Sequence, residues 1–157
     1  MTSLSIRPVV TKADTKAFIE VTYRLNGNDP NWVPPLRQEE YAKINPKKNG
    51  WFSHAEVQLF IAERGGKTVG RISAHLDLLA LEMAPEQGFG PGKGFWGMFE
   101  AEDQNAAKAL INTAEDWLRK KGMTHAIGPM SLSVWEEPGL LVKGYDHPPT
   151  VLMAHHQ

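Results

Sequence analysis

The spacing of hydrophobic and polar positions changes along this chain, and each change predicts a new element. From Leu4 to Val10 the two kinds alternate and end β-branched, which predicts a short first strand; Pro8, with no amide to give a ladder, marks it as an edge. Thr11-Lys12-Ala13-Asp14 has the form of a capping box with Asp in the usual place of Glu. Ala17, Phe18, Val21 and Leu25 follow at helical spacing, and Asn26-Gly27 ends that helix. The stretch NDPNWVPP, Asn28 to Pro35, is too rich in proline for either regular element, and Leu36 to Ile44 predicts a short helix halted at Asn45-Pro46.

Glu56 to Glu63 and Lys67 to Leu76 predict two strands, joined as a hairpin by Arg64-Gly65-Gly66. Leu78 to Gly94, LLALEMAPEQGFGPGKG, begins apolar, ends as a glycine-rich loop and takes no single assignment. Gly94 to Phe99 reads as a further strand. Strict alternation puts Phe95, Gly97 and Phe99 on one face and Trp96 and Met98 on the other, and a glycine inside a strand marks a bulge or a close approach. Ala107, Leu110, Ile111, Ala114, Trp117 and Leu118 make the stripe of an amphipathic helix. Asp103 or Asn105 caps it, Arg119, Lys120 and Lys121 suit its negative end, and Gly122 closes it. His125 to Met130 returns as a strand, SVWEEPGLLVKGYDHPP as a loop, and Thr150 to Ala154 as a strand-like run. A hairpin followed by strand–helix–strand implies a mixed sheet with helices on its faces.

Totals narrow the classes. At 157 residues the chain is the size of one domain, with the 41% hydrophobic and 22% charged residues of an ordinary globule. A net charge of -1 and the lack of a basic patch argue against nucleic acid and anionic membrane as partners. The absence of cysteine excludes disulfides, thiolate catalysis and Cys-based zinc sites. The first residues lack the apolar core of a signal peptide and no run reaches membrane-spanning length, so the expectation is a cytoplasmic protein.

Several motifs invite chemistry. GFGPGKG, Gly88 to Gly94, misses the phosphate-loop spacing by one, has Gly94 where Ser or Thr is required, and precedes a strand rather than a helix. His147, His155 and His156 make no ligand pattern, and adjacent strand residues point to opposite faces, so no metal is expected. His54 and His75 are candidates either for acid–base work or for hydrogen-bonded places in the sheet. Glu136-Glu137-Pro138-Gly139 reads as a solvated turn or as a carboxylate facing a polar substrate. The turn before the long helix, Glu100-Ala101-Glu102-Asp103, carries three carboxylates and no glycine.

The order and the motifs resemble the GNAT superfamily of acyl-CoA N-acyltransferases. SIRPV and the helix after it resemble that family's first strand and helix, VQLFIAERGGKTVGRISAH its second and third strands, GFWGMFEAED its fourth strand and turn, and HAIGPM its fifth. More narrowly, NDPNWVPPL, FSHAEVQLF, EDWLRKKGM and GLLVKGYDHPP resemble the first half of a bacterial group with two GNAT-like halves in tandem. The resemblance covers essentially the whole chain. It implies an α/β fold (α+β by stricter usage), a mixed, mostly antiparallel sheet with helices on both faces and without the family's last strands.

The resemblance also implies acyl transfer from acyl-CoA or acetyl-CoA to a small-molecule amine. Gly97 and Met98 would form the bulge that frees backbone amides for the cofactor, with Phe99 beside them. Glu100 would be the base and Tyr145 the acid, while Gln104 and Asn105 would belong to the pyrophosphate turn. Two departures stand out. Carboxylates occupy the turn where glycines and a cation are expected; they repel pyrophosphate and satisfy the helix dipole themselves, so the CoA grip is lost or altered. The family also continues into further strands, whereas this sequence stops after an apolar run, an edge that expects a partner. A truncated coding sequence, a homodimer or a second GNAT-like half would each account for that. The alternative function is a non-catalytic structural or binding half. An acyltransferase predicts a cleft between the splayed strands, and a structural half predicts that cleft filled by side chains such as Trp96 or Trp135.

Overall fold

The computed structural model describes residues 3–133 and 136–150. Its elements are β1 (Leu4–Pro8), α1 (Lys12–Asn26), α2 (Arg37–Lys43), β2 (Ala55–Arg64), β3 (Lys67–Asp77), α3 (Leu78–Leu81), β4 (Lys93–Ala101), α4 (Gln104–Lys120) and β5 (His125–Ile127). Short 3-10 turns at Gly50–His54 and Pro85–Gln87 precede β2 and β4. The strands lie in the order β1-β2-β3-β4-β5, antiparallel except for the parallel pair β4 and β5. The mixed sheet expected from the sequence is therefore the one that forms, with β1 at an edge where Pro8 is tolerated.

Each face of the sheet has its own core. Ile72, Ala74 and Leu76 meet Leu110, Ala114 and Leu118 of α4 on one side. On the other, Phe18 and Ile19 of α1 pack with Ile61, Met98 and Leu132. The helix ends follow their local chemistry. Thr11 and Asp14 complete the capping box of α1, and Asp103 caps α4 by accepting the amide of Ala106 at 2.9 Å. Gly122, at φ +83°, takes the left-handed position just beyond α4.

Two expectations change, and a third falls outside the described residues. Leu78 to Gly94 contains α3, whose cap is Asp77 through the amides of Leu79 and Ala80. Its glycine-rich part is closed by Lys93, whose Nζ donates to the carbonyls of Gly88 at 2.9 Å and Phe89 at 3.2 Å. β5 stops at Ile127 rather than Met130, since Pro129 has no amide to continue the ladder. The strand-like run from Thr150 to Ala154 lies, after Thr150, outside the described residues.

Candidate functional site

The site is organised by a bulge in β4. Gly97 pairs with Ser73 and Glu100 with Arg71, so Met98 and Phe99 together oppose Ile72, and Met98 takes φ +44°. One extra residue rotates everything after it. Trp96 and Phe99 consequently share the α4 face, their rings 5.7 Å apart, while Met98 and Glu100 turn to the α1 face. This corrects the strict alternation, which had set Trp96 with Met98 and against Phe99. β4 does bulge, but on Met98 and Phe99, one residue beyond the expected Gly97 and Met98, since Gly97 keeps a regular partner in Ser73.

Past Phe95 and Ile127 the ladder between β4 and β5 ends. The chain stays close nonetheless: the amide of Met130 donates to the Trp96 carbonyl at 2.9 Å, and a β-carbon on Gly97 would stand 1.7 Å from the Met130 oxygen. Backbone, not the Trp96 side chain, therefore fills the space beside Gly97. Trp135 lies outside the described residues.

Glu100 is only 9% exposed and borders a cavity of about 260 Å³ with Asn26, Phe99 and Glu102. Burial pushes its carboxyl above the ordinary range, against the pull of the Arg71 charge and the hydrogen bond from Asn26 Nδ2 at 3.2 Å. Arg71 is the hub of a buried network. Its guanidinium lies 3.9 Å from Glu100 and 3.6 Å from Glu40, and donates to the Phe18 carbonyl at 3.4 Å. Its Nε has no partner among the described residues. Lys43 extends the network from Glu40, at 3.0 Å, to Glu137, at 3.4 Å, and Glu137 also accepts from Ser131 Oγ at 3.0 Å. Burial works against the Lys43 ammonium, but Glu137 and Glu40 outweigh it and hold its pKa up. Burial likewise opposes the Glu137 carboxylate, and Lys43 outweighs it, so that pKa falls; Glu136 is raised, chiefly by burial. Glu137 is thus half-exposed but tied to α2 through Lys43 and to Ser131 rather than free in solvent.

The acidic turn is neutralised from the protein's own side. Arg64 grips Asp103 at 2.6 and 3.3 Å, and Arg24 and Lys67 reach Glu102 at 3.0 and 3.3 Å. Arg64 first, then the Ala106 amide, hold the Asp103 carboxyl down to about 2. Asp103 also accepts from the amide of Asn105, so it takes up helix donors that would face an anion. Gln104 opens α4 directly behind this cap. Tyr145 is exposed; its hydroxyl donates to the Leu141 carbonyl at 2.8 Å, and its own carbonyl accepts from Asn31.

Sequence reasoning missed a second cavity, of about 250 Å³, walled by α3, the segment after it, Phe95 and the stretch Met130 to Ser133. Its one signal was the apolar start of LLALEM. Beside it, His75 is fully buried, stacked on Phe95 at 5.9 Å and edge-on to Trp51 at 5.5 Å. Burial pushes its imidazole down to about 3, so it is neutral. His54 Nδ1 lies 3.0 Å from Asp77, which also accepts from Trp51 Nε1 at 3.0 Å. Among the described residues there is no group of three metal-ligating side chains, and no helix is long and apolar enough to cross a membrane.

No protein-family model matches the chain. Its fold is nevertheless that of the GNAT acetyltransferases. It superposes with a TM-score of 0.55 on the aminoglycoside N-acetyltransferase AAC(6')-Iy in complex with CoA, at 15% identity over 83% of this chain and 78% of that one. A tandem GNAT protein from the clavulanic acid biosynthesis pathway matches with a TM-score of 0.56, at 14% identity over 77% of this chain and 34% of that one. In sequence, the chain is 52% identical over 153 residues to the bacterial ceramide synthase of Caulobacter vibrioides, and 38% identical over 151 residues to Protein YghO of Escherichia coli. These matches take in 97% and 96% of this chain but only 39% and 37% of the two relatives.

Proposed function

We propose that the chain is one GNAT-fold unit of an acyl-CoA-dependent N-acyltransferase, with a long-chain amine as acceptor. The observation that carries the reading is Glu100, a buried carboxyl of raised pKa at the end of a bulged β4, bordering a cavity. A carboxylate whose proton affinity is raised by burial takes a proton more readily than a free one, which suits a general base. The amine nitrogen attacks the thioester carbonyl, Glu100 takes the proton the nitrogen loses, and the carbon–sulfur bond breaks. The departing thiolate takes a proton from an acid or from water. Tyr145 would serve as that acid only if a partner or substrate brings its exposed hydroxyl to the site. The acceptor class comes from the relative named a ceramide synthase, since a ceramide is the amide of a long-chain amino alcohol.

A second reading rests on Asp103 and Met130. With the N-terminus of α4 capped and the space beside Gly97 filled, this unit supports a CoA-holding partner, either a second GNAT-like half or another copy of the chain, and does no chemistry itself. Calorimetry of the purified chain with acetyl-CoA and longer acyl-CoAs separates the two. Micromolar binding supports catalysis in this unit. Absence of binding to millimolar concentration removes it and leaves the supporting role. In the first case Glu100→Gln should lower kcat by about 100-fold, the scale of a lost general base.

A further inference from the structure

The cavity under α3 is separate from the Glu100 pocket and shares no lining residue with it. Leu79, Ala80, Met83, Phe89, Phe95 and Leu132 give it apolar walls, and its polar contributions come from Asp77 and Ser133. We infer that this cavity receives an unbranched alkyl chain, with the polar head of the same molecule left at Asp77. The inference rests on the acyltransferase reading only for the identity of the molecule that carries the chain.

Three observations support an alkyl occupant. The first is volume: about 250 Å³ of space walled mainly by apolar side chains suits a run of methylene groups, with Asp77 and Ser133 left for the polar end of the molecule. The second is the wall itself. Leu132 is 1% exposed yet has φ +73°, a conformation a branched residue adopts only where the surroundings over-determine it. The backbone bends there to put a leucine between the α1 core and the cavity. The third is the rim: Leu78 and Leu79 are 43% and 55% exposed, so an apolar molecule meets an apolar lip before the cavity. Asp77 suits a cationic head better than an anionic one. Its carboxylate is already fixed by Trp51, His54 and the amides of α3, which keeps it in place without a mobile cation.

An alkyl chain could belong to the amine or to the acyl group, and head-group chemistry tells them apart. The test is binding of n-alkylamines and n-alkanoates from six to sixteen carbons to this chain, read by tryptophan fluorescence below their micelle concentrations. Affinity should rise about fourfold per added methylene and then level off once the cavity is full, with amines tighter than alkanoates of equal length. Tighter alkanoates would overturn the placing of a cationic head at Asp77 and assign the chain site to the acyl group instead. Ala80→Leu should weaken dodecylamine at least tenfold and move the levelling point to shorter chains, whereas Met83→Ala should move it to longer ones. No saturable binding, or a length dependence unchanged in both variants, overturns the inference. Neither readout needs CoA or turnover, so a failure to form amide would fall on the proposed function and leave this result standing.

Discussion

The carbonyl oxygen of Met130 rests against the α-carbon of Gly97, where a β-carbon would come within 1.7 Å of it. The contact is backbone on backbone, so no side chain can move aside. Gly97 is held to glycine by this approach, not by its conformation.

Gly97→Ala should therefore act as an overpacking substitution at a point that cannot relax locally. The expected loss is about 3 kcal/mol, at the upper end of the usual cost. Urea denaturation checks it. A loss below about 0.5 kcal/mol, within the scatter of ordinary surface changes, would mean that the Met130 segment lifts off β4 freely.

Arg71 faces two carboxylates with almost no solvent: Glu40 and Glu100 have side-chain exposures of 5% and 10%. Removing the guanidinium strands both. Arg71→Ala should cost about 3–5 kcal/mol, the range for breaking a buried pair from one side. Adding Glu100→Gln should restore part of it, since one of the stranded charges is then gone. Strictly additive losses would show that the two residues do not interact across their 3.9 Å.

How much of this was legible in the sequence depends on the range of the interactions involved. The capping box of Thr11 and Asp14, the Gly65-Gly66 hairpin and the stripe of α4 are all local, and each stands where its pattern put it. That β4 bulges beside Gly97 was legible, but its place and consequence were not: the doubled pair is Met98 and Phe99, which moves Phe99 to join Trp96, and no periodicity announces which residue is doubled. Glu136 and Glu137 looked like a solvated turn because their partner, Lys43, comes from α2. The cavity under α3 needed Phe95, Ala80 and Leu132 from three separate segments, so no window of sequence contained it.

His75 gives a pH dependence with a definite sign. Its folded pKa, near 3, lies below the unfolded value near 6.5, so between these the unfolded chain binds the extra proton. The stability it contributes is complete above pH 6.5 and is lost as pH falls toward 3, at up to about 1.4 kcal/mol per unit. Asp103, depressed to about 2, adds a loss of the same sign at lower pH, while raised Glu100 and Glu136 act in the opposite direction. The clean measurement is the difference between wild type and His75→Phe. The wild-type slope between pH 6.5 and 4 should exceed that of the variant by about one proton, and parallel curves would mean that His75 is protonated in the fold.

The strongest test of the acidic turn is to give it back to an anion. Asp103 occupies amides at the start of α4 and is itself held by Arg64, while Glu102 is shared by Arg24 and Lys67. Asp103→Gly frees the amides and Arg64 at a capping cost of only a few tenths of a kcal/mol. Glu102→Gln frees two more cations. Glycine keeps the turn's backbone accessible, and a helix N-terminus ringed by unpaired cations is an anion site. The double variant should bind inorganic pyrophosphate and CoA at least tenfold more tightly than wild type, with a gain that shrinks as salt rises. If wild type already binds CoA at micromolar level and the variant binds no better, the turn is not what governs the cofactor, and the supporting-unit reading loses its basis. If the gain appears, the two carboxylates are what separates this turn from one that grips CoA.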